Sequence, residues 1–313
     1  MNREPRPGAI LMTYGSPDSL DRHDVARYLA RVRGGRDADD GLVDEFTRRY
    51  RVIGGSPLIG ITRDQADALS RNLGWPVEIG MRFSEPSIEA GLRELSRVGV
   101  TDVAGIILSP QYSPMLMGGY ARAVDAARTS MGSGAPRVSM AGSWWEEGAF
   151  IGSVAGRVRD ALSSSPGQRP GRVHVLMTAH SLPKRVAVQE PDYLRQLRAT
   201  ADAVASASGL KAEQWSFCWQ SAGHEPGEWM TPDFADLMPE IAASGGSRVV
   251  VVPIQFLADH LETLYDVDVG AREQAASAGL EFERIPSLNA DRGLVEALAV
   301  VARTSLSQSG VAA

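Results

Sequence analysis

Short apolar runs alternate with helical stretches along the chain, and this alternation constrains the fold more than any other feature of the sequence. Strands separated by helices of about 10–15 residues are typical of βαβ units, in which the strands lie parallel in one sheet. The runs are almost continuously apolar, as expected where helices cover both faces of a sheet. Strands are predicted at residues 9–13, 77–81, 103–108, 137–141, 173–178, 214–218 and 249–253.

An internal echo divides the chain into two similar halves. Residues 8–17 resemble residues 173–183, and residues 106–112 resemble residues 250–256, in the same order. We therefore predict two similar α/β domains, at residues 1–140 and 141–290. A C-terminal helix at about 291–307 is predicted to return to the first domain. The stretch 163–171, rich in Ser, Pro and Gly, predicts a surface loop.

The composition limits the functions that the chain can serve. A formal net charge of −6 argues against non-specific nucleic-acid binding, which needs a basic surface. The only cysteine, Cys218, is predicted to be a buried small hydrophobe, and one thiol cannot hold an all-cysteine iron–sulfur cluster. Neither a signal peptide nor an apolar run of ~20 residues is visible, so a soluble cytoplasmic protein is expected.

His180 and Glu262 are candidates for chemistry because each closely follows a predicted strand. In open α/β sheets, ligands bind at the carboxyl ends of the strands. An imidazole transfers protons near neutral pH, and together with a carboxylate it can bind a divalent metal. Both residues also have a structural interpretation. His180 could simply pack, and Asp259 with Glu262 fits a capping box with Asp259 at the N-cap.

The turn around Glu262 is rich in acids, since Asp266 and Asp268 follow it. On a helix, Glu262 and Asp266 share a face, where like charges repel unless a cation separates them. The turn therefore favours a cation site or path, and this role does not exclude capping.

Two kinds of segment predict ligand-binding surfaces. Loops at 114–120 and 219–232, rich in methionine or tryptophan, would offer a large flat ligand an adaptable apolar surface, although such residues more often serve packing. Tyr14 occupies the corresponding loop of the first half. The arginines between residues 27 and 51 form a basic patch, which is either a solvated face or an anion site.

Several short blocks, taken in order along nearly the whole chain, resemble the ferrochelatase family. The blocks are Leu11-Met12-Thr13-Tyr14-Gly15-Ser16-Pro17, Ile53-Gly54-Gly55-Ser56-Pro57-Leu58, Met81-Arg82-Phe83, Ser109-Pro110-Gln111-Tyr112-Ser113, Ala179-His180-Ser181-Leu182-Pro183, Trp219-Gln220-Ser221, Trp229 with Pro232, and Asp259 to Asp266.

The resemblance implies two Rossmann-like domains with parallel sheets flanked by helices, the class II chelatase architecture, with an active-site cleft between them. It implies a lyase of haem and porphyrin biosynthesis that inserts Fe(II) into a porphyrin. His180 and Glu262 match the facing catalytic and metal-binding pair of the family. Iron is then a substrate, no further cofactor is required, and no iron–sulfur cluster is expected.

Tyr14 resembles the tyrosine of the Gram-positive-type branch, which implies coproporphyrin III as substrate and coproheme as product. The alternatives are a protoporphyrin IX ferrochelatase, another tetrapyrrole metal chelatase, and a porphyrin- or haem-binding protein without activity. The resemblance further implies a monomer, a downstream coproheme decarboxylase as partner, and a metal relay at Asp266 and Asp268, although Gly270 and Ala222 replace acids of some relatives. Porphyrin contacts are implied at Tyr14, Arg33, Arg49, Ser56, Met115, Met117, Tyr120 and Trp229.

Overall fold

The computed structural model describes residues 5–163, 172–223, 227–308 and 310. The chain forms two compact units, of which one comprises Met1–Trp144 with Asn289–Ala313 and the other Trp145–Leu288. Each unit contains one four-stranded parallel sheet. The predicted α/β class with two parallel sheets is therefore confirmed. Most of the predicted loop at 163–171 lies outside the described residues.

The first unit is built on a sheet whose innermost strands are almost completely buried. Its strands are β1 (Pro7–Thr13), β2 (Val77–Met81), β3 (Asp102–Ile107) and β4 (Arg137–Met140). Their order is β2-β1-β3-β4, with Ala9 of β1 paired to Val77 on one side and Ala104 on the other. The helices are α1 (Arg22–Val32), α2 (Asp40–Val52), α3 (Leu58–Leu73), α4 (Ile88–Arg97) and α5 (Pro114–Met131).

The second unit repeats this strand order around a second buried strand. It contains α6 (Gly148–Ser163), β5 (Arg172–His180), α7 (Lys184–Ala187), α8 (Pro191–Ser208), β6 (Trp215–Gln220), α9 (Phe234–Ala243), β7 (Gly246–Pro253), a π-helix (Glu262–Ala271), α10 (Arg272–Ser277) and β8 (Glu281–Arg284). The sheet order is β6-β5-β7-β8, so β5 takes the place that β1 has in the first unit. In the first sequence echo β1 corresponds to β5, and in the second β3 corresponds to β7. These strands occupy equivalent places in the two sheets, which share one topology.

The last helix, α11 (Arg292–Gln308), packs against α3 and β3 of the first unit. Its buried face includes Leu294, Leu298 and Leu306, none of which is exposed at all. Hydrophobic burial of this kind contributes roughly 1.5–3 kcal/mol for each large side chain, so the first unit is completed by residues from the far end of the sequence.

Two details differ from the sequence-based predictions. All seven predicted strands are present, but β8 was missed because its sequence, Glu-Phe-Glu-Arg, is not an apolar run. The predicted loop at 114–120 is wrong, since these residues form the first turns of α5. The Ser113 side chain caps the helix by accepting from the Leu116 amide at 3.1 Å, and Pro114 occupies the first turn, where its missing N–H costs nothing.

Two further predictions concern burial and length. Cys218 is completely buried, which confirms its role as a small hydrophobe, and burial raises the pKa of its thiol. In the described parts of the chain, no helix is both long enough and apolar enough to cross a bilayer.

Candidate active site

His180 is the last residue of β5, at the carboxyl end of the central strand of its sheet. The loop that follows is fixed on two sides. The Ser181 amide donates to the Gln220 carbonyl at 2.7 Å, and the Ser181 hydroxyl donates to the Met230 carbonyl at 3.1 Å. The side chain of His180 is 30% exposed, so it is accessible to a ligand while its backbone is held in place.

The hydrogen bonds of His180 determine which ring nitrogen is available. Its Nδ1 lies 2.6 Å from the Ser181 carbonyl oxygen. Because a carbonyl can only accept a hydrogen bond, Nδ1 must carry the proton and donate. The neutral imidazole therefore has its lone pair on Nε2, which lies 3.8 Å from Oε2 of Glu262. The two residues singled out in the sequence are brought together within one unit.

Glu262 is the first residue of the π-helix. π-Helices are rare in proteins, and those that occur are often found at functional sites. The capping interpretation of this segment is wrong, because Leu261 is the N-cap and makes no side-chain cap. Asp259 instead accepts from the Ser287 hydroxyl at 2.7 Å and pairs with Arg284 at 3.1 Å. The Glu262 carboxylate is thus available for another role.

His260 is a third member of this cluster, although the sequence placed it only in the acid-rich turn around Glu262. Its Nδ1 donates to the Ala258 carbonyl at 2.9 Å, so its Nε2 also carries the lone pair. That Nε2 lies 3.9 Å from Oε2 of Glu262, and the ring packs edge-on against Phe256 at 4.6 Å. Two imidazole nitrogens therefore approach one carboxylate oxygen.

The charge state of Glu262 follows from these neighbours. Its Oε2 is buried and accepts no hydrogen bond from any described residue. Burial raises the pKa of Glu262, whereas His180 and His260, once they are protonated, lower it more, to a value of about 2. Glu262 is therefore a carboxylate whenever these imidazoles carry the additional proton. Among the described residues, no three His, Cys, Asp or Glu side chains form a ready-made metal group.

The two predicted relay acids have different surroundings. Both carboxylate oxygens of Asp268 accept from Arg284, at 2.8 Å each. This guanidinium is 9% exposed and also pairs with Asp259. A bidentate pair of this kind neutralises Asp268 and ties the π-helix to β8. Asp266 is half-buried on the same π-helix.

Trp229 is attached to the loop that follows His180. It forms a β-bridge with Pro183, and the neighbouring Met230 amide donates to the Leu182 carbonyl at 2.9 Å. A Cβ atom at Gly223 would lie 2.6 Å from the indole ring, so the ring packs directly on the Gly223 backbone. Trp229 is half-buried, and the intervening residues 224–226 lie outside the described residues.

In the first unit, Tyr14 lies just beyond the end of β1 and is 44% exposed. Its ring packs against Phe83 at 5.2 Å and edge-on against Tyr120 at 6.2 Å. Tyr120 is only 2% exposed and Met117 only 7%, so both support the surface from below, whereas Met115 is 46% exposed. Of these four predicted porphyrin contacts, Tyr14 and Met115 are the accessible ones.

Arg82 is a cation within this aromatic cluster, and no role is predicted for it from the sequence. Its guanidinium lies 4.6 Å from the Phe83 ring and 5.3 Å from the Tyr120 ring, and it donates to the Leu116 carbonyl at 3.2 Å. A Cβ atom at Gly119 would collide with it, so only glycine permits this stacking. In the sequence, Arg82 is marked only by the block Met81-Arg82-Phe83, one of those that resemble the ferrochelatase family.

The remaining predicted contacts lie on or just after α1 and α2. Arg33 is exposed, and no described acid pairs with it. Arg49 donates to Glu45 at 2.8 Å, and together with Arg48 it lowers the pKa of Glu45 to about 2. The Ser56 hydroxyl accepts from the Leu58 amide at 3.4 Å. Arg49 is thus already paired with an acid, whereas Arg33 is not.

Comparison with known proteins identifies relatives along nearly the whole chain. A family model described as ferrochelatase matches residues 6–306. A ferrochelatase from Deinococcus radiodurans is 37% identical over 300 residues, covering 94% of each chain. A ferrochelatase from Herpetosiphon aurantiacus is 35% identical over 303 residues, covering 95% of this chain and 98% of that protein. A coproporphyrin III ferrochelatase from Anoxybacillus flavithermus is 31% identical over 313 residues, covering 97% of each.

Solved structures show the same fold at low sequence identity. SirB from Bacillus subtilis with Fe3+ superposes with a TM-score of 0.59 and 12% identity, covering 98% of this chain and 99% of that one. CbiX, described as the terminal enzyme of sirohaem biosynthesis in denitrifying bacteria, gives 0.54 and 12%, covering 96% and 98%. These likenesses confirm the class II chelatase architecture.

Proposed function

Because the chain belongs to the ferrochelatase family, whose members are lyases that insert iron into porphyrin, we propose that its porphyrin is coproporphyrin III and its product coproheme.

Two observations support coproporphyrin III. Relatives named coproporphyrin III ferrochelatases are 31% identical to this chain over 94–97% of its length. Coproporphyrin carries four carboxylates and protoporphyrin two, so a site for coproporphyrin benefits from additional cations. In the described residues of the first unit, Arg31, Arg33 and Arg82 have no acidic partner. Arg31 and Arg82 both contact Phe83, on which the exposed Tyr14 ring packs.

The arrangement that carries the catalytic proposal is the approach of two imidazole Nε2 atoms to one buried carboxylate oxygen of Glu262, at 3.8 and 3.9 Å. Insertion of Fe(II) replaces two pyrrole N–H protons, so the enzyme must accept protons and a hydrated cation must lose water. We assign His180 Nε2 as the acceptor of a pyrrole proton, because its Nδ1 already carries a proton donated to Ser181.

Glu262 contributes the negative charge in this scheme. The pKa of Glu262 is about 2 beside protonated imidazoles, so the carboxylate is ionised once His180 has taken up a proton. It can stabilise the imidazolium that forms when His180 takes up a proton, and it can serve as an oxygen ligand to incoming iron. His260, on the other side of the same oxygen, would supply a second nitrogen to either task. Imidazole and carboxylate ligands discriminate weakly among first-row divalent metals, so zinc is also expected to be inserted.

Coproheme is not the final haem, since two of its propionates must still be converted to vinyl groups. We therefore propose that an oxidative decarboxylase consumes the product. We further propose that the protein is a monomer. Light scattering of the purified protein tests the monomeric state.

The test of the substrate is anaerobic Fe(II) insertion with coproporphyrin III and protoporphyrin IX compared under identical conditions. We expect kcat/KM for coproporphyrin to be about tenfold higher or more, which corresponds to roughly 1.4 kcal/mol of additional transition-state binding. An equal or reversed preference would retain the chelatase and reject coproporphyrin. Removing the charges of Arg33 and Arg82 should reduce the preference, because the extra carboxylates would lose their partners.

A further inference from the structure

His180 lies beyond the point at which β5 and β7 stop pairing. The register between these strands ends with Thr178 opposite Pro253, and the Ile254 amide makes the last bond, to the Thr178 carbonyl at 3.0 Å. β5 continues for two more residues, paired on its other side with Trp219 and Gln220 of β6. On the β7 side, the His180 amide therefore needs an acceptor that the main chain of β7 does not provide.

The side chain of Gln255 supplies this acceptor. Its Oε1 accepts from the His180 amide at 2.8 Å, and its Nε2 donates to the Tyr193 hydroxyl at 2.5 Å. The orientation of the carboxamide is fixed by chemistry, because an amide N–H can only be paired with the oxygen end. Tyr193 lies on α8 and is 1% exposed. Gln255 thus connects the backbone of His180 to the hydroxyl of a buried tyrosine.

The imidazole of His180 depends on its backbone for orientation. Among the described residues, the only hydrogen bond of the ring is the one from Nδ1 to the carbonyl of the next residue, Ser181. A shift of the peptide at His180 would therefore be transmitted to Nε2 and change its distance from Glu262, now 3.8 Å. Misplacement of a reacting group by about 1 Å can reduce a rate about 100-fold.

We propose that Gln255 is a positioning residue, which holds the His180 peptide so that Nε2 points towards Glu262. This proposal rests on the proposed function, in which His180 accepts a pyrrole proton. Gln255 acts through His180 and is assigned no contact with porphyrin or iron. The expected consequence is on turnover and not on porphyrin affinity.

The test compares two substitutions of similar size. Gln255→Met removes both hydrogen bonds, and kcat should fall about tenfold or more while the KM for porphyrin changes by less than about twofold. Gln255→Glu keeps an acceptor for the His180 amide and removes only the donor to the Tyr193 hydroxyl. This variant should recover most of the wild-type kcat. Tyr193→Phe, which removes only the outer partner, should have a smaller effect than Gln255→Met.

Amide hydrogen exchange at His180, measured without substrate, gives a readout that does not depend on activity. Exchange should accelerate in Gln255→Met and stay slow in Gln255→Glu. Wild-type kcat in Gln255→Met, or equal losses in the Met and Glu variants, would overturn the positioning role. His180→Ala separates the two proposals. If it retains turnover, the proposed function of His180 fails, whereas an inactive His180→Ala beside a fully active Gln255→Met rejects only the role of Gln255.

Discussion

The two sheets share one strand order, yet their central strands end differently. β1 stops at Thr13, and the chain turns away at Gly15, leaving the Tyr14 ring 44% exposed. β5 passes the equivalent residue, Thr178, and continues to His180. The ends of two equivalent strands therefore carry different side chains, the aromatic ring of Tyr14 in the first unit and the imidazole of His180 in the second.

Local chemistry explains the difference. Gly15 has a φ of +91°, a conformation that side chains rarely adopt, and a Cβ atom there would collide with the Ser84 hydroxyl. The main chain at Thr13 and Tyr14 is bonded to the amides of Arg82 and Phe83, at 2.9 and 3.1 Å. In the second unit, β6 and Gln255 extend the pairing instead. One topology thus carries different chemistry because the strand ends differ.

The largest expected effect comes from removing the distinctive side chain of each unit. His180→Ala should lower kcat about 100-fold or more, since general-base catalysis contributes about 10²–10⁴-fold, and should leave porphyrin binding nearly unchanged. Tyr14→Ala should mainly raise the KM for porphyrin by a few-fold, because it removes apolar contact area. Steady-state kinetics and fluorescence titration of porphyrin separate the two effects. If Tyr14→Ala lowered kcat as strongly as His180→Ala, the division of roles would be wrong.

The turn at Gly15 should be the next most sensitive point. Gly15→Ala forces a side chain into a strained φ and against buried Ser84, and we expect the free energy of unfolding to fall by about 2–3 kcal/mol. Gly34→Ala is the matched control, because Gly34 also has a positive φ, +70°, but apart from its chain neighbours no described residue has an atom within 4 Å of the position that its Cβ would take. Urea denaturation of both variants measures the difference. Equal destabilisation would show that the contact with Ser84 does not matter.

Much of the fold follows from the sequence because buried parallel strands have a strong signature. The apolar runs located seven of the eight strands that the described residues form, and the echo between residues 8–17 and 173–183 indicated the repeated topology. The proximity of His180 and Glu262 also follows from position, since His180 ends β5 and Glu262 follows β7, and the carboxyl ends of these two strands lie at the same edge of one sheet.

The parts that could not be predicted depend on geometry that a sequence does not encode locally. Asp259 and Glu262 have capping-box spacing, but the helix is a π-helix, and Asp259 forms an ion pair with Arg284, which is distant in sequence. The role of Gln255 depends on where β7 stops relative to β5. Arg82 requires the bare backbone of Gly119, a tertiary contact. Each of these roles depends on a contact between residues that are distant in the sequence.

The smallest expected effect concerns acid stability, and it again separates the two central strands. His174 of β5 corresponds in the sequence echo to Ala9 of β1. Its Nε2 lies 2.9 Å from the Ser216 hydroxyl, and its buried Nδ1 has no hydrogen-bond partner among the described residues. Burial, with a further contribution from Arg172, lowers the pKa of His174 below its ordinary value of 6.5. The fold therefore favours the neutral imidazole.

The sign of the effect follows from linkage between protonation and folding. Because the folded pKa is depressed, the stabilisation is complete above pH 6.5 and is lost as the pH falls through the folded value. The free energy of unfolding should therefore decline as the pH falls below 6.5, by at most about 1.4 kcal/mol per pH unit for one proton. His174→Gln should flatten this slope, whereas His23→Gln should not, since the His23 side chain is 84% exposed. An unchanged slope in His174→Gln would place the acid-sensitive group elsewhere and remove this difference between β1 and β5.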